Sequence, residues 1–353
     1  MPDFVQPDQP QPQPQPPPPP APFSAPGPAA AFYPLTIGRV VSLAFSMFRY
    51  GWKTYVAINL VVAIPVALAT SLLTLATYQQ MDAWQNLLLS SSNSTTIDPA
   101  PLIQTFPWGV ALTSLVLSLV LGMLTIIANA ALIHAVAATF AGGRASVREA
   151  YRFALGLLRD LFTLYVVLAV AGLGLTLLVL FVPLLAVAGA SLLGGGGLLS
   201  FLALMLIVGV VFVTFFLLIR FVFAVQVMVV EGLPALPSLR RTYTLVAGSL
   251  LRVIGYAFVF GLILGLIGLV ISFISLIAGL LISPADLTSL TPTFSPASTF
   301  AQALITNLLA EVFAPILTIG FVLLYFDTRY RHGETVPTPG GGQATAPAVL
   351  AQR

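Results

Sequence analysis

A single acidic residue, Glu311, lies in the middle of a long apolar stretch close to the C-terminal end of the chain. If residues 300–326 form a helix across a membrane, Glu311 lies about 16 Å along it, near the bilayer centre. Asn307, Pro315 and Thr318 recur with it at helical spacing. These residues therefore form a polar stripe that we expect to face the other helices of a bundle.

A carboxyl group at this depth can carry a proton or bind a cation, so Glu311 is a candidate functional residue. Pro315 lacks an amide proton and leaves the backbone oxygen of Glu311 free for water, a partner or an ion. The alternative is a protonated acid that hydrogen-bonds to Ser or Thr on a neighbouring helix and serves packing only. This alternative is favoured because the sequence places no second charge at mid-membrane depth.

Other charged residues group near the predicted ends of helices. Arg220 and Glu231 are eleven residues apart, so they share a face if the helix continues, but about 16 Å separates them along the axis. Asp327 and Arg329 form a second charged group. We expect structural ion pairs here, which tie helix ends to amphipathic segments, rather than a ligand site. Polar contacts between helices are expected at Asn59, Asn129 and His134.

The sequence offers little for catalysis. It has no cysteine and only two histidines, His134 and His332, so disulfides, thiolate metal sites and cysteine nucleophiles are excluded. A serine nucleophile at Ser191 would need a histidine base beside it, whereas His134 is predicted near the opposite membrane face. The motifs of zinc proteases and phosphate-binding loops do not occur. We therefore expect no enzyme activity, no metal and no cofactor.

The amino-acid composition indicates the kind of fold that positions these residues. Of 353 residues, 58% are hydrophobic and only 7% are charged, against about 25% charged residues in soluble domains. A soluble fold is excluded because such a chain cannot cover its surface with polar groups. We predict an all-α integral membrane bundle whose six transmembrane helices lie close to residues 55–78, 108–138, 162–191, 198–225, 250–282 and 300–326.

The fifth predicted span carries small residues at intervals of four and three, at Gly261, Gly265, Gly268 and Ser272. Small side chains let two helix backbones approach closely, so this stripe predicts a packing seam within a subunit or between subunits. The alternative is that these small residues line a pore.

The positive charges predict the orientation of the bundle. All 14 Lys and Arg residues fall on one side of the six spans, and connections 79–107, 192–197 and 283–299 contain none. By the positive-inside rule, the charged side is the cytoplasm. Both termini are therefore expected in the cytoplasm of a cell whose cytoplasmic membrane holds the protein.

Amphipathic segments precede the odd-numbered spans. Residues 36–53 and 146–162 each place apolar side chains on one helical face and cations on the other, and a weaker copy begins near Leu236. We interpret them as helices lying in the inner membrane interface. The first two segments also align at an offset of 110 residues, which suggests three repeated units, although short amphipathic helices can resemble each other by chance.

Several short motifs follow one another at characteristic distances: Leu35 to Gly38, Phe48-Arg49, Gly143 to Ala150, Arg220 followed by Val230 to Leu233, Leu239 to Thr242, and Leu324 to Arg329. Together they resemble the glycerophosphoryl diester phosphodiesterase membrane domain, a family that includes uncharacterised bacterial multi-pass proteins. The likeness covers residues 34–334 and implies a multi-pass architecture in a bacterial membrane. It implies no diesterase activity, because the catalytic His-Arg-Gly motif of those enzymes is missing.

The chain is thus predicted to contain a disordered Pro/Gln-rich tail at 1–34, a membrane domain at 35–334 and a disordered tail at 335–353. We expect a non-enzymatic membrane module that organises lipids, protein partners or a second copy at the inner face, without nucleic acid. The alternative is a small-solute or ion transporter or channel that uses Glu311. A water-accessible cavity reaching Glu311 would favour the transporter, and a closely packed bundle would favour the module.

Overall fold

The computed structural model describes residues 34–92, 108–192, 197–282, 295–337 and 343–344. The predicted N-terminal tail lies outside the described residues except for Pro34, and so does most of the predicted tail at 335–353. Residues 336–337 and 343–344 of the latter form two short paired strands, β1 (Val336–Pro337) and β2 (Gln343–Ala344). The side chain of Val336 is buried against the bundle, and disorder of the tail as a whole stays a prediction.

Apart from these strands, the regular structure of the described chain is α-helical. The helices are α1 (Ile37–Ser92), α2 (Trp108–Phe140), α3 (Val147–Gly156), α4 (Leu158–Leu192), α5 (Gly197–Arg220), α6 (Ala224–Glu231), α7 (Ala235–Ala247), α8 (Leu250–Ile282) and α9 (Pro296–Arg331).

Within the described residues, six helical segments are long and apolar enough to cross a membrane. Their bounds are Ile37–Tyr78, Trp108–Phe140, Leu158–Val179, Leu204–Glu231, Leu250–Ile282 and Pro296–Arg331. Each corresponds to one of the six predicted spans. The prediction of an all-α membrane bundle is therefore confirmed.

Helix α1 corrects the prediction of a separate interfacial helix at residues 36–53. It is continuous over 56 residues, about 84 Å at 1.5 Å per residue. Gly51 alone does not end it, because one glycine costs only about 1 kcal/mol in a helix interior. Val40, Ala44 and Met47 are buried in the protein core, so this apolar face packs on protein instead of lipid.

The second and third amphipathic segments do form separate short helices, α3 and α7. Helix α3 begins with a capping box, in which Ser146 and Glu149 satisfy each other's backbone amides. Helix α7 begins after Pro234, ends at Ala247 and is capped by Gly248. The hypothesis of three repeated units stays a prediction.

Helix α9 is central to the bundle, because it packs along α1 and α8 and also touches α2. The main cluster of buried side chains lies where the last turns of α9 meet the start of α1, α3, α6 and α7, and it includes Ala44, Ala150, Phe223 and Phe326. We call this region the basic end, because the Lys and Arg side chains of these segments surround it. Toward the opposite end, α5 and α8 expose apolar side chains suited to lipid, such as Phe212 and Leu269.

Candidate functional site

Glu311 of α9 meets Asn59 of α1 in the interior of the bundle. The Nδ2 atom of Asn59 donates to Oε2 of Glu311 at 2.8 Å and to its backbone oxygen at 2.9 Å. That backbone oxygen lacks its usual helical donor because Pro315 stands four residues later. Asn59, which is only 8% exposed, therefore supplies the donor that proline removed, and the partner of Glu311 is an amide instead of the expected hydroxyl.

The space beside this pair is small. A cavity of about 20 Å³ adjoins Glu311 and Asn59 and is otherwise lined by Val62, Ala63, Val66, Thr125 and Ala128. A cavity of this size has room for about one water molecule. The Glu311 carboxyl thus lies in a closely packed part of the bundle, beside a void too small for a hydrated ion.

Further polar side chains of α9 bond to three neighbouring helices. Asn307 donates to Oγ1 of Thr70 on α1 at 3.1 Å, and Thr318 donates to Oδ1 of Asn129 on α2 at 3.2 Å. Thr306, which sequence reasoning missed, donates to Oγ of Ser275 on α8 at 2.9 Å. The polar side chains of α9 therefore act as interhelical contacts.

Glu231, at the end of α6, is the centre of a charged cluster at the basic end. Its Oε1 accepts from the Tyr325 hydroxyl at 2.6 Å, and its Oε2 accepts from Nε of Arg241 at 3.3 Å. Arg329 lies 3.6 Å from the same carboxylate. Glu334 bonds to both arginines and so closes the cluster. Tyr325 was not foreseen as a member, because only the fold brings α9 beside α6.

Electrostatics in this cluster favour the charged forms. Burial by itself would raise the pKa of Glu334, but the hydrogen bonds from Arg241 and Arg329 hold that pKa below its ordinary value. Burial likewise opposes the charge of Arg241, yet Glu334 and Glu231 raise its pKa above the ordinary value. The cluster is therefore a set of ion pairs that joins α6, α7 and α9.

Asp327 makes a different set of bonds from the one predicted. Its side chain is fully buried and accepts from Nε of Arg331 at 2.9 Å, from Arg252 at 3.4 Å and from the backbone N–H of Leu35 at 2.8 Å. The predicted group with Arg329 is wrong, because residues two apart point to different faces of a helix and residues four apart share one. Asp327 thereby anchors the start of α1 to the end of α9.

Arg220 also departs from its predicted surroundings. Helix α5 ends at Arg220, and a turn over 221–223 separates it from α6, so the assumed continuous helix to Glu231 does not exist. The guanidinium lies over the rings of Phe216 and Tyr243, at 4.9 and 4.7 Å from their centroids. Cation–π contacts replace the expected ion pair.

The predicted seam at Gly261, Gly265, Gly268 and Ser272 makes no close contact with the described residues of this chain. A Cβ atom added at any of the three glycines would meet no atom within 4 Å, and Ser272 is exposed. Repeats of 3.5 residues drift about 20° per heptad around a straight helix, so a stripe of this period turns away from one neighbour. Only its continuation at Ser275 and Gly279 is buried against α9, and a seam between subunits stays a prediction.

Of the other residues expected to bridge helices, His134 stacks on Phe153 of α3, with ring centroids 4.0 Å apart. Among the described residues, no group of three or more His, Asp or Glu side chains is arranged to hold a metal ion. The expectations of no metal, no cofactor and no catalysis stay predictions.

Comparison with known proteins adds a family and no activity. A family model described as a domain of unknown function (DUF7847) matches residues 46–328. This range runs from the first turns of α1 to the last turns of α9 and therefore contains the Glu311 pair, Glu231 and Asp327. No curated protein and no solved structure matches the chain.

Proposed function

The chain belongs to the family defined by this domain of unknown function (DUF7847), and we propose that it is a non-enzymatic membrane module that holds lipid or protein partners at the inner face of a bacterial cytoplasmic membrane. The observation that carries the proposal is the contrast between a closed interior and a charged end. Glu311 is bonded to Asn59 beside a cavity of only about 20 Å³. The basic end, in contrast, exposes cations such as Arg49, Lys53 and Arg152.

The proposed orientation places the basic end and both termini in the cytoplasm. Reporter fusions test it directly. Fusions after Gln85 and Leu287 should report the outside, and fusions after Gly156 and Leu236 should report the cytoplasm. A cytoplasmic signal after Gln85 or Leu287 would contradict this topology.

Kinship with the glycerophosphoryl diester phosphodiesterase membrane domain is also a proposal, supported by the order of the short motifs from Leu35 to Arg329. A structure of that membrane domain tests it. Kinship requires the same succession of helices, including a short amphipathic helix before the third and fifth spans.

The module and the transporter differ in what they do in a vesicle. The protein is reconstituted in liposomes, and proton and cation fluxes are recorded for the parent and for Glu311→Gln. A module gives the background flux of empty liposomes in both samples. Flux that occurs in the parent and disappears in Glu311→Gln would replace the module with a transporter that uses this carboxyl group.

A direct measurement of the module compares melting temperatures in nanodiscs of phosphatidylglycerol and of phosphatidylcholine. Anionic lipid bound to the folded protein stabilises it by mass action, so Tm should be higher in phosphatidylglycerol. Equal Tm values would remove the lipid part of the proposal.

A further inference from the structure

Two neighbouring cavities lie at the basic end, between α1, the end of α2 and α3. One has a volume of about 390 Å³ and is lined by His134, Ala138, Arg144, Ala145, Glu149, Arg152 and Phe153. The other has a volume of about 330 Å³ and is lined by residues 49–55 together with Thr139, Arg144 and Ala145. Arg144 belongs to both walls. Each cavity falls within the size range of small-molecule sites.

The turn after α2 places Arg144 between the two cavities. Gly142 has a φ of 88°, and the N–H groups of Gly142 and Gly143 donate to the oxygens of Thr139 and Ala138, which is a Schellman ending. The chain then leads Arg144 to α1, where its NH2 group donates to the Tyr50 hydroxyl at 2.6 Å. Its guanidinium also lies 5.5 Å from the centre of the Tyr50 ring.

The cations around these cavities are not held in salt bridges within the described part of the chain. Arg49, Lys53, Arg144 and Arg152 form no salt bridge with any described residue. In the ion-pair clusters of the same basic end, by contrast, Arg241, Arg252, Arg329 and Arg331 are all paired. Four of the described cations that the fold leaves without a salt bridge therefore line the two cavities.

Glu149, the acid in the wall of the first cavity, is hydrogen-bonded to the N-cap residue of its own helix, Ser146. Its Oε2 accepts from the backbone N–H and the hydroxyl of Ser146, both at 2.9 Å. These bonds, the backbone one first, hold the pKa of Glu149 below its ordinary value. The carboxylate therefore caps α3, and the nearby positive charge of Arg152 lowers its pKa further.

A buried hydroxyl points to an anionic ligand independently of the charges. Tyr55 is 1% exposed, lines the second cavity, and its hydroxyl has no hydrogen-bond partner among the described residues. The hydroxyl of Thr139, which lies near it, donates its own proton to the backbone oxygen of Ala135. A buried donor left unsatisfied is costly, so the Tyr55 hydroxyl is available to donate to a ligand oxygen that enters this cavity.

Gly51 holds the Tyr55 ring in this position. A Cβ atom on Gly51 would lie 2.6 and 2.7 Å from Cε2 and Cζ of Tyr55, so the ring rests directly on the glycine of the preceding turn. A larger residue at position 51 would displace the ring and its hydroxyl from the cavity wall.

The surroundings favour a lipid as the source of the anion. Tyr50 and Trp52 at the second cavity are 53% and 50% exposed, as is typical of aromatic side chains at the level of lipid headgroups. On the same face of α1 as Lys53, the exposed side chains of Ile64 and Leu68 continue toward the apolar part of the bundle. A headgroup bound at the cavities can therefore lay its acyl chains along α1.

From these observations we infer that the paired cavities bind the phosphate group of an anionic phospholipid, with Arg144 as the central cation and Tyr55 as a hydroxyl donor to a phosphate oxygen. The inference rests on the proposed function, because it names the lipid class and the site through which the module acts.

Binding is measured by the fluorescence of Trp52 in a protein whose Trp84 and Trp108 are replaced by phenylalanine. The detergent-solubilised protein is titrated with short-chain phosphatidylglycerol, with phosphatidylcholine and with inorganic phosphate. Saturation by phosphatidylglycerol at concentrations where inorganic phosphate has no effect identifies a lipid headgroup. Saturation by inorganic phosphate at equal concentrations identifies a soluble phosphate compound and overturns the lipid assignment.

Two variants test the residues, and a third serves as a matched control. Arg144→Gln should weaken phosphatidylglycerol binding about 10-fold or more, because it removes a charge-assisted hydrogen bond. Tyr55→Phe should weaken it about 5-fold, the effect of one hydrogen bond. Arg148→Gln removes an exposed arginine that lines neither cavity and should change affinity less than 2-fold, the small effect of an exposed charge.

Tyr55→Phe also distinguishes a loss of lipid binding from a loss of folding. It removes only an unpaired buried hydroxyl, so the lipid-free variant should melt at or above the parent's Tm while it binds less lipid. If Arg144→Gln and Arg148→Gln weaken phosphatidylglycerol binding equally, the site is overturned and the lipid is held only by diffuse charge attraction. This outcome would not contradict the proposed module. Flux through Glu311 together with no lipid binding by the parent would overturn the module itself.

Discussion

Gly320 of α9 is in close contact with a side chain of α8, and its replacement by alanine should weaken the fold. A Cβ atom at this position would lie 2.7 and 2.8 Å from Cε1 and Cε2 of Phe260 on α8. The Phe260 side chain is 1% exposed and stacks near Phe321, with centroids 6.4 Å apart. The ring therefore has little room to move away.

The magnitude follows from two opposing effects. Overpacking of a buried site costs about 1–3 kcal/mol, whereas Gly→Ala in a helix interior gains about 1 kcal/mol of helix propensity. Gly265 of α8 is the matched control, because it also lies inside a long helix and a Cβ there meets nothing within 4 Å. Propensity cancels between the two variants, so Gly320→Ala should be less stable than Gly265→Ala by about 1–3 kcal/mol.

The free energy of unfolding is measured by equilibrium denaturation in mixed micelles, with helicity as the signal. In the double variant Gly320→Ala/Phe260→Leu, the smaller leucine side chain should recover part of the lost free energy of unfolding. The effects of the two changes should therefore be non-additive. Equal stability of Gly320→Ala and Gly265→Ala would refute the reasoning. It would mean that Phe260 does not rest on Gly320, or that α8 and α9 separate without cost.

Three further predictions concern polar groups. Glu311→Gln should unfold within about 1 kcal/mol of the parent because its amide oxygen still accepts from Asn59, whereas Glu311→Ala should lose about 1–3 kcal/mol and leave a void; denaturation of both variants checks this, and equal losses would contradict it. The pKa of Glu334 is lowered in the folded protein, so its stabilising effect is complete above its ordinary pKa of 4.5 and is lost as pH falls through the lower folded value. The Tm plotted against pH should therefore fall less steeply below pH 4.5 in Glu334→Gln than in the parent. Parallel plots for the two proteins would exclude the effect. Arg220→Lys should be less stable than the parent because an ammonium group does not stack on Phe216 as a guanidinium does, and an unchanged Tm would contradict the cation–π role.

The spans were predictable because hydrophobic length is a local property of the chain. Residues 250–282 were expected as one helix, and α8 has the same bounds. The separate interfacial helix at 36–53 was wrong for an equally local reason. An amphipathic segment has the same pattern whether its apolar face meets lipid or protein. Only the presence of α9 beside Val40 and Ala44 determines that this face packs on protein.

The charged partners were predictable only as a class. Ion pairs among Glu231, Asp327 and nearby arginines agree with the expected chemistry, but Asp327 pairs with Arg331 and Arg252 instead of Arg329. Arg220 lies on the rings of Phe216, one turn earlier in α5, and of Tyr243 in α7. Sequence spacing predicts neighbours within a continuous helix, and it cannot predict where a helix breaks or which helix end lies opposite.

By itself, the sequence determined the membrane class, the number of spans, the placement of cations on one side and the free carbonyl that Pro315 creates at Glu311. These depend on composition, on local periodicity and on the covalent structure of proline. Only the tertiary structure decided that Asn59, 252 residues away, satisfies that carbonyl and that a Cβ atom at Gly265 meets no atom within 4 Å. It also decided that Arg144 and Tyr55 line one cavity, the second, whose wall contains no acid among the described residues. The physical reason is that burial in lipid is non-directional, whereas a hydrogen bond or an ion pair requires two groups within about 3–4 Å, a distance set by how helices far apart in sequence cross.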